Sequence, residues 1–202
     1  DPNYGPARGN LGDLLADRGE IDTGLALYDK ALKSDGGNAQ ARLNRAVLHL
    51  LRGNLKDGWR DYAARLKIPN KVPHAEHRLE KWTGGKIRRL LVSAEQGVGD
   101  QILFASCLPE LIARARAEGG SLLLECEPRL APLFARSFPD VLVHAGDLRT
   151  KAGNTTAHYD WLKAVGGANH FIEMGTLPKI LRPSLDTFPN PHAYLTPDAA
   201  EQ

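Results

Sequence analysis

Cysteine is scarce in this sequence, and neither a long apolar run nor an excess of one charge occurs. Two cysteines, Cys107 and Cys126, cannot build the framework of bridges that holds small secreted domains together, and they fit a reducing, cytoplasmic setting. The longest apolar runs, such as Leu122 to Leu124, fall far short of the ~20 residues of a spanning helix, so no membrane span is expected. Lys and Arg number 26 against 24 Asp and Glu, a balance of +2. So small a balance makes no electrostatic case for nucleic acid or an anionic membrane as the main partner. Methionine occurs once, at Met174, and the sequence begins Asp-Pro-Asn, so it reads as a piece of a longer protein. What is present is ordinary globular material: 42% hydrophobic and 25% charged residues in a length of 202, room for one large domain or two small ones.

The first third repeats itself. A shift of 34 residues brings Ala7, Arg8, Asn10 and Leu14 onto Ala41, Arg42, Asn44 and Leu48. It also brings Arg18-Gly19, Gly24, Tyr28 and Leu32-Lys33 onto Arg52-Gly53, Gly58, Tyr62 and Leu66-Lys67. Such a period marks a stacked repeat. Leu11, Leu14 and Leu15, then Leu25, Tyr28, Ala31 and Leu32, have the spacing of amphipathic helices. Gly19 lies between the two, where a left-handed residue ends the first helix. Gly24, within the second, leaves space for close helix approach at a cost of ~1 kcal/mol in propensity.

These residues resemble the tetratricopeptide repeat. Leu11-Gly12, Gly24, Tyr28 and Ala31 match the family pattern, and Pro2 stands at the position of its terminal proline. The resemblance implies the end of one repeat followed by two copies, 5–38 and 39–67, within an all-α region over 1–67. In the second copy Arg45-Ala46 replaces Leu-Gly and Arg65 replaces the alanine, as in a terminal repeat. A protein partner in the groove would meet Asn10, Arg42 and Asn44. The plainer reading is a packing adaptor with a solvated polar face.

Pro69, Pro73, His74, His77, Trp82, Gly84 and Gly85 mark a linker over 68–86. His74 and His77 have a spacing that suits a metal, but no third ligand is near in sequence; no metal site is expected. Trp82 is expected to anchor the linker to the following domain. Beyond it the pattern changes. Arg89–Ala94, Ser121–Cys126 and Val141–His144 read as strands, with helices over Gln101–Ala117, broken near Pro109, and Pro128–Phe138. This order predicts a parallel α/β sheet. Arg149–Thr156 reads as a loop, Tyr159–Leu162 as a short strand, Gly175–Pro178 as a helix start capped by Thr176, and Ser184–Pro197 as an extended tail leaving the domain.

Open parallel sheets bind ligands at the carboxyl ends of their strands. Glu95-Gln-Gly-Val-Gly-Asp100 occupies that place after the first strand. Gly97 and Gly99 let a ligand come close to the backbone, and Asp100 either takes a proton from a hydroxyl or caps its helix. A dinucleotide fingerprint fails because Ile102 stands where a small residue is needed, and no Gly-Lys-Ser/Thr phosphate loop follows. A methyl-donor site fits loosely, with Glu125 or Glu127 as its ribose-binding acid.

From Trp82 onward the sequence resembles the N-terminal half of GT-B glycosyltransferases of the heptosyltransferase, family 9-like type. The likeness rests on Trp82 with Gly84, Leu90-Leu-Val92, Glu95–Leu103, Leu108-Pro109, Gly175–Pro178, Leu181–Asp186 and Ala193–Pro197. It implies a Rossmann-like acceptor domain over 87–202, in which Asp100 is the general base of a metal-independent, inverting transfer. Glu95, Gln96, Gly97, Gly99, Gln101, Gly175 and Thr176 would contact the acceptor, a sugar or a protein. The nucleotide-sugar donor would sit on a second domain outside this sequence, so no cofactor is expected here and the piece alone would be inactive. A non-catalytic interaction scaffold and an S-adenosylmethionine-dependent methyltransferase are the alternatives.

Overall fold

A computed structural model describes residues 14, 15, 18–69, 71–190 and 193–199. The chain divides into two compact units, one of residues 1–71 with Arg182–Phe188, the other of Val72–Leu181 with 189–202.

The first unit is helical: α1 (Ile21–Ser34), α2 (Ala39–Leu51), α3 (Leu55–Tyr62) and a 3-10 turn over Ala63–Lys67. Asn38 and Asn54 cap α2 and α3, accepting from Ala41 N–H and Asp57 N–H. Gly53 has a positive φ of 75°, so α2 stops where glycine allows a left-handed turn, and Gly19, with φ of 78°, precedes α1. Tyr28, Ala41 and Leu48 form the core, with Ile21, Leu25 and Leu32 against it. Gly24 is buried in α1. At its counterpart Gly58, a Cβ would fall 2.5 Å from Leu50 Cδ2, so α2 and α3 approach through a missing side chain.

Arg45 does not leave a gap where the repeat pattern has leucine. Its guanidinium reaches Asp29 on α1 at 2.6 Å and Asp61 on α3 at 2.7 Å, tying three helices together. Asp61 is 0% exposed and also faces Arg60 and Arg42. Segment Arg182–Phe188 belongs to this unit: Trp59 Nε1–H donates to the Arg182 carbonyl, and Ser184 starts a 3-10 turn in a reciprocal cap with Thr187.

The second unit carries five parallel strands in the order β2 (Glu80–Lys81), β8 (His170–Glu173), β3 (Arg89–Ser93), β4 (Ser121–Cys126) and β5 (Val141–Ala145). Helix α4 (Val98–Ala105) and α5 (Leu108–Ala117) connect β3 to β4, and a 3-10 turn with α6 (Ala131–Ser137) connects β4 to β5. Leu90, Leu91, Val92, Leu122, Leu123 and Leu124 are all buried, as strands covered on both faces require. The α/β class and parallel sheet are as expected. The break expected near Pro109 falls just before it, between α4 and α5, and Pro109 sits in the first turn of α5 where its missing N–H does no harm.

Several expectations are corrected. The linker supplies two sheet strands, β1 (His74–Ala75) and β2; Trp82 anchors it as expected, buried with its indole donating to Gly85 O at 2.8 Å beneath the Arg114 guanidinium. The predicted loop 149–156 is a hairpin: β6 (Asp147–Lys151) pairs antiparallel with β7 (Asn154–His158), and β7 pairs parallel with β1. Ala152 and Gly153, both at positive φ, make its two-residue turn. The predicted strand at Tyr159–Leu162 is helical from Trp161 (α7, Trp161–Ala164), because Asp160 turns the chain immediately after Tyr159. Thr176 ends a 3-10 turn immediately before α8 (Leu177–Leu181), and its hydroxyl donates to Glu173 Oε2. The tail does not simply leave: Thr196 N–H donates to Ser137 Oγ and Tyr194 Oη–H to the Ile102 carbonyl. No helix among the described residues is long and apolar enough to cross a membrane.

Candidate functional site

Parallel strands end together, and here β3, β4 and β8 bring a carboxylate each to that edge. Glu95 follows β3, Glu125 lies near the end of β4 opposite Ser93, and Glu173 closes β8 in register with Ser93. A cavity of about 60 Å³ opens beside the first two. Its lining includes Glu95, Gln96, Gln101, Glu125, Glu127, Gly146, Pro73 and Leu148.

Glu95 is 8% exposed and accepts from two directions: the Gln96 side-chain amide at 3.0 Å and the Gly175 N–H at 3.4 Å. It thereby ties the loop after β3 to the end of β8. Gln101, on the first turns of α4, is buried and works as a brace. Its Nε2–H donates to the Gln96 carbonyl at 2.8 Å and its Oε1 accepts from the Glu127 N–H at 2.9 Å. One amide thus fixes the loops of two neighbouring strands.

Glu125 was named in the sequence only as a ribose-binding acid. In the structure it is 3% exposed, and Oε2 accepts from the Tyr159 hydroxyl at 3.2 Å. Burial pushes its carboxyl up to about 7; nearby Glu95 pushes the same way, and the Tyr159 hydrogen bond opposes both. Burial, then the charge of Glu125, raises the Tyr159 phenol, which keeps it a donor. Gly146 leaves the space the carboxyl occupies: a Cβ there would fall 2.5 Å from Glu125 Oε1. A lone acid inside the run Leu122-Leu-Leu-Glu-Cys was the available signal in sequence. Its partner Tyr159, 34 residues on, could not be read there.

Asp100 stands apart from the cavity lining. Gly97, in extended conformation, occupies the N-cap of α4, and Asp100 lies exposed in the first turn. Its carboxylate Oδ2 lies 3.6 Å from where a Cβ on Gly97 would sit. A carboxylate there is favoured by the helix dipole and open to an incoming group. Gly99 faces open space. Gly175 and Thr176 are buried behind Glu95 and Glu173 and do not line the cavity. Glu127 lines it while paired to exposed Arg129 at 2.8 Å.

In the helical unit, Arg42 donates to the Gly36 carbonyl at 2.8 Å, and Asn44 Oδ1 accepts from Gln40 at 2.6 Å. Asn10 lies outside the described residues. His77 is packed edge-on against Tyr159 and Phe171, with ring centroids at 4.8 and 4.3 Å. Cys107 and Cys126 are buried and not joined in a disulfide, and burial raises the Cys126 thiol to about 12. Among the described residues no three His, Cys, Asp or Glu side chains converge as a metal site.

No protein-family model matches the chain. The sequence is 32% identical over 205 residues to Protein FlbA of Caulobacter vibrioides, a match covering 98% of the chain and 34% of that protein. The chain therefore spans about a third of the length of the curated relative it matches.

Proposed function

We propose that the second unit is the acceptor-binding half of a nucleotide-sugar-dependent glycosyltransferase of GT-B type, and that the helical unit is a tetratricopeptide-type module that holds or positions a protein partner. The observation that carries this reading is the cleft at the carboxyl ends of β3 and β4, walled by amide and carboxyl groups with Pro73 and Leu148 beside them. Polyhydroxyl ligands need many directional donors and acceptors, and apolar surface for their C–H faces. In this reading Asp100, exposed beside the cleft loop, accepts the proton of the acceptor hydroxyl as that oxygen attacks the sugar. The nucleotide diphosphate leaves toward the donor domain, supplied by the longer protein. Glu95 and Gln101 hold the loop that leads into the helix turn carrying Asp100.

The scaffold reading draws on one observation, that Asp100 is not among the residues lining the cavity. The two are separated by incubating the longer protein with labelled nucleotide-sugars and candidate saccharide and protein acceptors. Donor-dependent labelling of an acceptor is expected. A protein that binds its partner through the helices but consumes no donor would reject the transferase reading. S-adenosylmethionine binding to this chain, measured by calorimetry, would favour methyl transfer instead.

A further inference from the structure

We propose that Glu125 is a second acceptor-contacting residue of the cleft, one that holds a ligand hydroxyl opposite the Gln96 loop. This rests on the reading of the cleft as an acceptor site. Three features converge on the carboxyl. It lines the cavity although it belongs to a strand otherwise buried among leucines. Tyr159 fixes one of its oxygens from β7's far end, and Gly146 withholds the Cβ that would collide with the other. A carboxyl so costly to bury is out of place in a purely structural strand, where leucine would pack without loss.

The carboxyl's chemistry defines the ligand. With its proton held to near neutral pH, Glu125 both donates and accepts, which suits a neutral hydroxyl. Glu95 and Glu127 share the cavity, and no Lys, Arg or His is among the described residues that line it. The site therefore disfavours a carboxylated or phosphorylated ring and takes one hydroxyl-bearing edge of an uncharged pyranose.

The test uses this chain with glutamate labelled at the carboxyl carbon, followed by NMR. The probes are the methyl pyranosides of glucose, galactose, mannose and N-acetylglucosamine, with methyl glucuronide as the anionic comparison. A neutral pyranoside is expected to move the Glu125 resonance together with the Gln96 amide, and the glucuronide to bind at least tenfold more weakly. Glu125→Gln, which keeps shape and hydrogen bonding, should bind within about threefold of the native chain. Glu125→Ala and Gly146→Ala should each lose at least tenfold, and native binding should weaken above pH 7 while the Gln variant's does not. If pyranosides move Gln96 and Glu127 but leave Glu125 still, and Glu125→Ala binds normally, Glu125 is not a contact and the cleft reading survives. If no cleft residue responds to any pyranoside, this proposal is overturned, and donor-dependent transfer by the longer protein decides the fate of the transferase reading independently.

Discussion

Replacing Glu125 by glutamine should stabilise the second unit, by an amount that depends on pH in a defined direction. Burial raises the carboxyl from 4.5 to about 7, so between those values the folded chain holds a proton that the unfolded chain has released. At about 1.4 kcal/mol per tenfold change in proton affinity, ionised Glu125 costs the folded state about 3 kcal/mol. The group is 3% exposed, so solvent screening does not shrink this figure greatly. The native chain has full benefit of the proton below pH 4.5, loses it progressively as pH rises to about 7, and is flat in this respect above. Glu125→Gln has no proton to lose. Its stability relative to the native chain should therefore grow by about 3 kcal/mol between pH 4.5 and pH 7.5. Urea unfolding of both chains, followed by Trp82 and Trp161 fluorescence in a Trp59→Phe background, reads the second unit alone. Other titrating groups cancel in the difference between the two curves. Parallel curves across that range would show that Glu125 is ionised and well solvated in the folded chain, and the reasoning about its burial would be wrong.

Three further outcomes are expected. Asp61→Ala strips Arg45, Arg42 and Arg60 of a shared buried partner. Because Arg45 keeps Asp29, the loss should be about 2–3 kcal/mol in unfolding of the helical unit, below the several kcal/mol typical of a wholly orphaned buried charge. Gly58→Ala gains helix propensity but drives a methyl into Leu50, so a net loss of about 1–2 kcal/mol is expected by thermal or urea unfolding. His77 is held below its usual pKa by burial, so it should destabilise the fold as pH falls through about 6.5, and His77→Phe should remove that acid sensitivity.

The central strands were legible because burial on both faces leaves an uninterrupted apolar run, as in Leu90-Leu-Val and Leu122-Leu-Leu. The hairpin of α2 and α3 was legible because repetition displays the same glycines twice, and Gly19 and Gly53 both have the positive φ expected of the first. What escaped was set by distant pairing. Strands β1 and β2 are two residues each, and a Pro- and His-rich segment becomes strand only because β7 and β8 offer ladders to it. The hairpin β6–β7 is polar and threonine-rich, so no hydrophobic alternation announced it; the Ala152-Gly153 turn was its local sign. The site divides in the same way. Glu95, Gln96 and Gln101 were readable because one contiguous loop and the first turns of the helix after it carry them to a strand end. Gln101's task as a brace, and the union of Glu125 with Tyr159 and Gly146, depend on residues that sequence separation conceals. Asp100 was placed on the right helix end, but the cap itself falls to Gly97.

The most direct test of the proposed chemistry compares sugar transfer by the longer protein with that of its Asp100→Asn variant, with circular dichroism confirming an unchanged fold. Loss of the base should lower turnover by about 10²- to 10⁴-fold while acceptor binding to the cleft persists. Turnover equal to that of the native protein would remove Asp100 from the reaction and contradict the account.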